Sequence, residues 1–443
     1  MATWGQHGLA PEMSDIEPTV PAWPTIPSEP AGAPDVLEAP DGPGTPQSSD
    51  GPGTPGSPTW TAWFGRGRGA PAIIGLVAAL IAVLVVALVA SHEAGGYYLF
   101  SPGTAPLITS SSKCKVAGDG ELALPGGTPC VRLVLPRGKT HNIDGELMMV
   151  DVEVGPAGPI DWLEYKLGVL GSSRQLYPVA VYAGPTPTSE LGCQDTQEMI
   201  DANEDSALAA LGQLHYKVGE DFLGAQIDAV YAGAPAWRAG LKCNDLITAV
   251  NGRQVKTAQK LTALLASMEP GTTVIFTDHP ANGGRTKQVK VKLVSPPESA
   301  LLNHFTGHSY IGVEIEPRVK PVLPFPVSVD AGGIGGPSAG LAFTLGILDA
   351  LSNGKLTGGH RVAATGTIAA DGDVGDVGGV QEKTVAVEKA GAQVFFVPQV
   401  EYAVAKSVAS KNLQVIPVTT LGQVLQVLRQ HYGGELPAPG GPG

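Results

Sequence analysis

From Ala70 to Ala90 the chain runs for about 20 residues without a charge, dominated by Ala, Val, Leu and Ile. That length matches the hydrocarbon core of a bilayer, where a single segment can satisfy its own backbone only as a helix. Residues 1–69 have the opposite character. They are rich in Pro, Gly, Ser and Asp, and Pro43-Gly44-Thr45-Pro46 nearly recurs at Pro52-Gly53-Thr54-Pro55. Such a segment buries too little apolar surface to offset its ordering entropy, so it is predicted to be a disordered tail. A buried core helix fits poorly behind a disordered tail, and the apolar run is too long and too deep in the chain for a cleaved signal peptide. Arg66 and Arg68 precede the run, whereas His92 and Glu93 follow it, which places the N-terminus in the cytoplasm. Trp60, Trp63 and Phe64 on one side, and Tyr97, Tyr98 and Phe100 on the other, suit the two membrane interfaces. The expectation is one transmembrane helix over 70–91, with the folded mass extracytoplasmic at the cell membrane.

The chain of 443 residues has room for two or three domains. All four cysteines, Cys114, Cys130, Cys193 and Cys243, follow the span. An even count in an oxidising compartment suggests disulfides, with three connectivities open. The short loop between Cys114 and Cys130, flanked by the strand-like run 130–135, favours that pair. There is no Cys-x-x-Cys, and the nine histidines are scattered, so no metal site is expected and His360 reads as a turn residue. A net charge of −13 argues against nucleic acid and anionic-lipid partners. Gly138-Lys139-Thr140 has Leu133 where a phosphate-binding loop needs its first glycine, which argues against an ATP site.

Chemistry concentrates in Gly335-Gly336-Pro337-Ser338-Ala339-Gly340 and, about 45 residues later, Gln381-Glu382-Lys383-Thr384. Pro337 suits the first position of a helix, and residues 341–351 continue as an almost wholly apolar one. Ser338 then falls in a first turn, where unpaired backbone N–H groups and the positive helix end can stabilise an oxyanion. A serine hydroxyl needs a base to become a nucleophile. A lysine serves if an apolar pocket keeps it neutral, and Thr384-Val385-Ala386-Val387 supplies an apolar helical setting for Lys383.

The blocks Gly336–Gly340, Ala364-Thr365-Gly366-Thr367-Ile368, Gly372, Gly378-Gly379-Val380-Gln381-Glu382-Lys383, Lys389-Ala390-Gly391-Ala392 and Val394–Pro398 stand in a fixed order. Together they resemble the proteolytic domain of the Lon family of Ser-Lys peptidases. That resemblance implies Ser338 as nucleophile and Lys383 as general base, with Gly336, Pro337, Ala339, Thr365 and Gly366 shaping the site. One departure is visible: many Lon enzymes carry an acidic residue just ahead of Gly-Pro-Ser, where Gly335-Gly336 stands here.

A second resemblance covers residues 219–297. Phe222-Leu223-Gly224-Ala225 leads to Ala232–Lys242, then Asn244–Gly252, an amphipathic stretch near 260–268, and Thr272–Phe276. This is similar to the PDZ domains of envelope proteases. It implies a peptide-binding pseudo-barrel in which Phe222, Leu223, Gly224 and Ala225 form the carboxylate-binding loop. Asn251-Gly252 is independently a hairpin signal, and residues 235–241 read as a short helix.

Elsewhere, residues 147–154 read as a strand and 201–211 as a helix. Residues 310–316 and 325–330 read as strands leading into the serine turn, and 421–431 as a closing helix. The expected fold is α+β: a strand-rich region at 92–218 that contributes to the protease domain, a PDZ-like domain inserted in it or preceding it, a Lon-type sheet with packed helices at 298–433, and a disordered tail at 434–443. Taken together, the resemblances imply a membrane-anchored, ATP-independent, cofactor-free serine endopeptidase acting on exported or membrane proteins, compatible with homo-oligomeric rings. The competing reading is a non-catalytic envelope scaffold that binds protein C-termini through its PDZ domain.

Overall fold

The structure, a computed structural model, describes residues 70–117, 121–136, 141, 145–171, 173–184, 186–281, 283–298 and 307–435. The expected tail at 1–69, with Arg66, Arg68 and the aromatic residues near them, lies outside the described residues. So do most of the expected tail at 434–443 and the Gly138-Lys139-Thr140 run.

The apolar run forms a helix over Ala70–Ala94. It is long and apolar enough from Gly75 to Ala94 to cross a membrane, and Leu76 to Val89 carry their side chains exposed. Among the described side chains of the helix, Ala90 and Ala94, one turn apart, are buried, at 2% and 1% exposure. The helix end is therefore packed rather than linked loosely.

The largest sheet has seven strands in the order Ser328–Asp330, Cys130–Val134, Leu107–Thr109, Glu146–Met148, Arg361–Ala364, Val394–Pro398 and Gln414–Val418. Its last three strands are parallel to one another, and Arg361–Ala364 is also parallel to Glu146–Met148. Three strands come from before the PDZ region and four from after it, so the PDZ-like unit sits within the chain path of this domain. The helix Gly340–Leu351 is buried along its whole length except Leu351, as its near-absence of polar residues demands. Its Leu341, Phe343, Leu345 and Ile347 share one core with Val131, Leu147, Val362 and Phe396 of the sheet.

The expected strand over 147–154 breaks in two. Glu146–Met148 belongs to the large sheet, whereas Val152–Pro156 joins Tyr97–Pro102 and Gln175–Pro178 in a small three-stranded sheet. The break is made by Met149 and Asp151, whose N–H groups donate to Pro106 and Thr104 carbonyls at 3.1 Å each. The expected helix over 201–211 is the C-terminal part of a much longer one, Thr188–Gln213.

The PDZ-like sheet runs Lys287–Lys292, Thr273–His279, Leu246–Val250, Gly219–Val230, Val313–Val322. Residues 310–316 therefore do not lead straight into the serine turn. From Val313 onward they pair antiparallel with Gly219–Val230, Val313 against Val230 and Val322 against Gly219. The unit extends past the expected boundary at 297, because its apolar face needs Val313 and Ile315 to close over Leu261, Leu264 and Leu265. Asn251 and Gly252 have φ of 48° and 76°, the left-handed pair required by a tight hairpin.

Two disulfides are formed: Cys114–Cys130 and Cys193–Cys243. The second ties the long helix Thr188–Gln213 to the PDZ-like unit, and Glu190 accepts from the Cys243 N–H beside it. Chain entropy alone assigns a closed loop of about 50 residues roughly 4 kcal/mol. A Cys193→Ser/Cys243→Ser double variant should therefore unfold at a clearly lower urea midpoint under non-reducing conditions. An unchanged midpoint would show that the crosslink constrains nothing.

Candidate active site

Gly336 has φ of 84° and turns the chain into a 3-10 turn, Pro337–Ala339, that runs on into Gly340–Leu351. Ser338 thus sits one short turn ahead of the α-helix, half-buried, while Ala339 is fully packed. Gly340 approaches Ile368 so closely that a Cβ there would lie 2.9 Å from Ile368 Cγ2. The loop after Arg361–Ala364 clamps the serine's own carbonyl: Gly366 N–H donates to Ser338 O at 2.9 Å and Thr365 Oγ1 donates to it at 3.1 Å. In return Leu341 N–H donates to Gly366 O at 3.0 Å. Ser338, Thr365 and Gly366 are therefore joined by hydrogen bonds, with Gly336, Pro337 and Ala339 flanking Ser338 in the same turn.

Lys383 lies in the first turn and a half of the helix Val380–Lys389. It is 2% exposed, among the largest fully buried side chains of the protein. Burial pulls its amine down to about 8, against the carboxylates of Asp151, Glu401 and Glu382, which favour the charged form. Asp151 is held by Thr104, whose N–H and hydroxyl donate to its two oxygens at 2.5 and 2.8 Å. None of these three carboxylates stands just ahead of Gly-Pro-Ser. Glu382 is itself 0% exposed, its carboxylate oxygens lack a hydrogen-bond partner, and burial raises its carboxyl above the usual range. Among hydrogen bonds between described residues, none joins Ser338 to Lys383.

Sequence reasoning missed the other support of the serine turn, the long helix Thr188–Gln213. Asp195 O accepts from Gly336 N–H at 2.8 Å, and Ser206 Oγ donates to Gly340 O at 2.9 Å. Asn203 makes both side-chain bonds to Val329, donating to its carbonyl at 2.6 Å and accepting from its N–H at 3.0 Å. Asn203 and Ser206, three apart on the inner face of an Ala-rich helix, were the available signal.

In the PDZ-like unit the residues expected to form the carboxylate loop lie in the strand Gly219–Val230. Phe222, Gly224 and Ala225 are paired with Val319, Arg318 and Pro317, and Ala225 also faces Ile247 across the other edge. They stand within the strand Gly219–Val230, where Ala225 and Gln226 are paired on both sides and Phe222 and Gly224 on one. Of the two sheet edges, Lys287–Lys292 is studded with lysines, which discourages pairing with another strand. The other edge, Val313–Val322, packs beside the helix Ala258–Ala266. It is preceded by Tyr310-Ile311-Gly312, with Gly312 at φ 75°. Tyr310-Ile311-Gly312-Val313 repeats the aromatic–aliphatic–Gly–apolar pattern of residues 222–225, and that repetition was the sequence signal.

The comparisons with known proteins agree with this division. Residues 326–431 match the Lon protease (S16) C-terminal proteolytic domain, and residues 226–277 match a PDZ domain. The Lon protease of Malacoplasma penetrans is 42% identical over 87 residues, which is 19% of this chain and 11% of that protein. An archaeal Lon protease from Halobacterium salinarum is 30% identical over 103 residues, 23% of this chain and 14% of that protein. The chain thus spans about a tenth of the length of the curated relatives it matches. Among solved structures, the PDZ domain of an SdrC-like protein from Listeria monocytogenes aligns at 24% identity, covering 21% of this chain and 88% of that one, with a TM-score of 0.18. The chain carries a Lon-type (S16) proteolytic domain together with a PDZ domain.

Proposed function

We propose that the protein is a membrane-anchored, ATP-independent serine endopeptidase in which Ser338 is the nucleophile and Lys383 its base. The observation that carries this reading is the fully buried Lys383 amine, pulled down to about 8, in the same domain as a serine held at a helix entrance. Neutral Lys383 takes the Ser338 proton as the hydroxyl attacks the peptide carbonyl, then passes it to the leaving amine. Backbone N–H groups at the helix entrance stabilise the tetrahedral oxyanion. The clamp from Thr365 and Gly366 fixes the serine backbone, so the attacking hydroxyl turns about one bond only. A rotamer change of Ser338 or Lys383 closes the remaining gap when substrate binds.

The PDZ domain binds an extended peptide at the edge Val313–Glu316, where Pro317 ends the row of backbone donors. The free catalytic domain with its PDZ lies outside the cytoplasm. Protease added to intact spheroplasts should remove the mass beyond Glu93 and leave a tag at residue 1 intact, and a protected C-terminus would reverse this topology. The scaffold reading is separated from the enzyme by cleavage of denatured protein substrates without ATP: wild type produces new N-termini and Ser338→Ala does not.

A further inference from the structure

The small sheet Tyr97–Pro102, Val152–Pro156 and Gln175–Pro178 is a satellite with no part in the large core. It links two things that the sequence keeps far apart. Its first strand begins three residues after the apolar helix ends at Ala94, a span of roughly 11 Å at most. The junction is firm: Val179 N–H donates to Gly96 O at 2.9 Å, and Ala157 N–H to Tyr97 O at 3.0 Å. The same strand packs against Val380–Lys389, the helix of Lys383. Gln175 Nε2 donates to Gln381 Oε1 at 2.6 Å, two residues before that lysine, and Asp151 immediately precedes the second strand.

Attached to this sheet is a helix, Pro159–Lys166, with no buried residue. Ile160, Tyr165, Leu167 and Val169 are 71%, 44%, 67% and 64% exposed, and Val181 on the next helix is 49% exposed. These side chains are held outward by a hydrogen-bonded frame. Asp161 caps the helix by accepting from Gly158 N–H at 2.9 Å, and Arg174 pairs with Asp161 and Glu164. Leu167 and Val169 N–H groups donate to Leu163 and Glu164 carbonyls at 2.9 Å each. The patch lies next to the end of the apolar helix, since the Tyr165 ring is 6.2 Å from that of Tyr97. Lys166 Nζ lies 5.5 Å from the Trp162 ring and 5.7 Å from the Tyr165 ring. A lysine beside two aromatic rings at the mouth of an apolar helix is the composition of a membrane–water interface.

We infer that helix Pro159–Lys166 and the turn to Val169 rest in the headgroup layer of the same bilayer that the apolar helix enters. They seat the catalytic cleft at the membrane surface, so that its preferred substrates are segments of membrane-anchored proteins just outside the bilayer. This rests on the membrane-anchored endopeptidase reading given above. The occupant is lipid because the patch is continuous with the exit point of the helix. A partner protein would need no such coincidence.

The test uses the full chain reconstituted in vesicles of phosphatidylethanolamine and phosphatidylglycerol. A triple variant, Ile160→Asp/Leu167→Asp/Val169→Asp, is compared with wild type on three substrates. One is a soluble peptide; the other two display the same cleavage sequence about 5 or about 30 residues from a membrane anchor. Cleavage of the soluble peptide and of the distant site should stay within about twofold of wild type, while the near site should lose about tenfold. A nitroxide on Leu167→Cys should be quenched by oxygen more than by a water-soluble nickel complex. Equal loss at both distances, a label reached by the nickel complex more than by oxygen, or a label shielded from both by a protein contact would overturn the seating. Resistance of the protein to carbonate extraction checks the anchor separately, and Ser338→Ala checks the chemistry. Failure of either would count against the underlying reading rather than the seating alone.

Discussion

Replacing Ser338 with alanine should abolish peptide-bond cleavage, a loss of three or more orders of magnitude, while leaving the fold intact. The side chain is half-buried, and the turn is held by backbone bonds from Gly366 and Asp195 that alanine retains. Lys383→Ala should be equally inactive, and the double variant little worse than either, because the two act as one unit. Lys383→Arg should also fail, since a guanidinium stays protonated and its larger head has no room in a site exposed by only 2%. Wild-type activity should rise with pH through about 8, where the lysine loses its proton, and level off above it. Asp151→Asn removes a carboxylate that favours the charged lysine, so it should move this limb to lower pH. A limb unaffected by Asp151→Asn and Lys383 substitutions would assign it to another group.

The second large effect belongs to the joint between the long helix and the PDZ sheet. Thr188–Gln213 packs across Gly219–Val230 and Val313–Val322. Its Glu198 and Asp201 act on Asp228 and Glu316 of the strands, and Asp205 acts with Glu220. Burial and mutual repulsion raise Glu198 and Asp205 to about 7, Asp228 to about 6 and Glu316 to about 8. Arg318 is the one cation ion-paired there among the described residues, with Asp201 at 3.0 Å and Glu204 at 2.9 Å. A carboxyl raised in the folded protein holds its proton more tightly there than in the unfolded chain. The joint is therefore fully favoured below about pH 4 and loses that advantage as pH climbs to about 8. Urea midpoints should fall across that window, and Glu198→Gln/Asp228→Asn/Glu316→Gln should flatten the slope. Arg318→Met leaves Asp201 and Glu204 without their partner and should cost roughly 1.5–3 kcal/mol at pH 8.5. A pH-independent midpoint in the wild type would refute this description of the joint.

Much of the site was legible in the sequence because its signals are local. A proline at a helix entrance, an apolar helix behind it and a lysine in an apolar turn are each read within a dozen residues. The membrane-length run is legible for the same reason. The large sheet was not, because Leu107–Thr109 and Glu146–Met148 are three residues each, too short to show a period of two. Their pairing gives them a place: Glu146–Met148 lies against Arg361–Ala364, more than 200 residues away, and Leu107–Thr109 lies against Cys130–Val134. Asp195, Asn203 and Ser206 look like a solvated helix face until the serine turn is laid against them. Phe222–Ala225 and Tyr310–Val313 share one pattern, and only the sheet order tells that the strand after the second lies at the sheet edge. The pairing of Cys193 with Cys243 likewise follows from packing that no spacing rule expresses.

The central claim is that Ser338 forms a covalent bond with substrate, and the most direct measurement is to capture that bond. Purified full-length protein is mixed with a cleavable peptide ester, quenched in acid within a turnover, digested and analysed by mass spectrometry. An acyl adduct on the peptide containing Ser338, absent from Ser338→Ala and from Lys383→Arg, is the predicted result. Turnover by Ser338→Ala, or an adduct on any other residue, would contradict it.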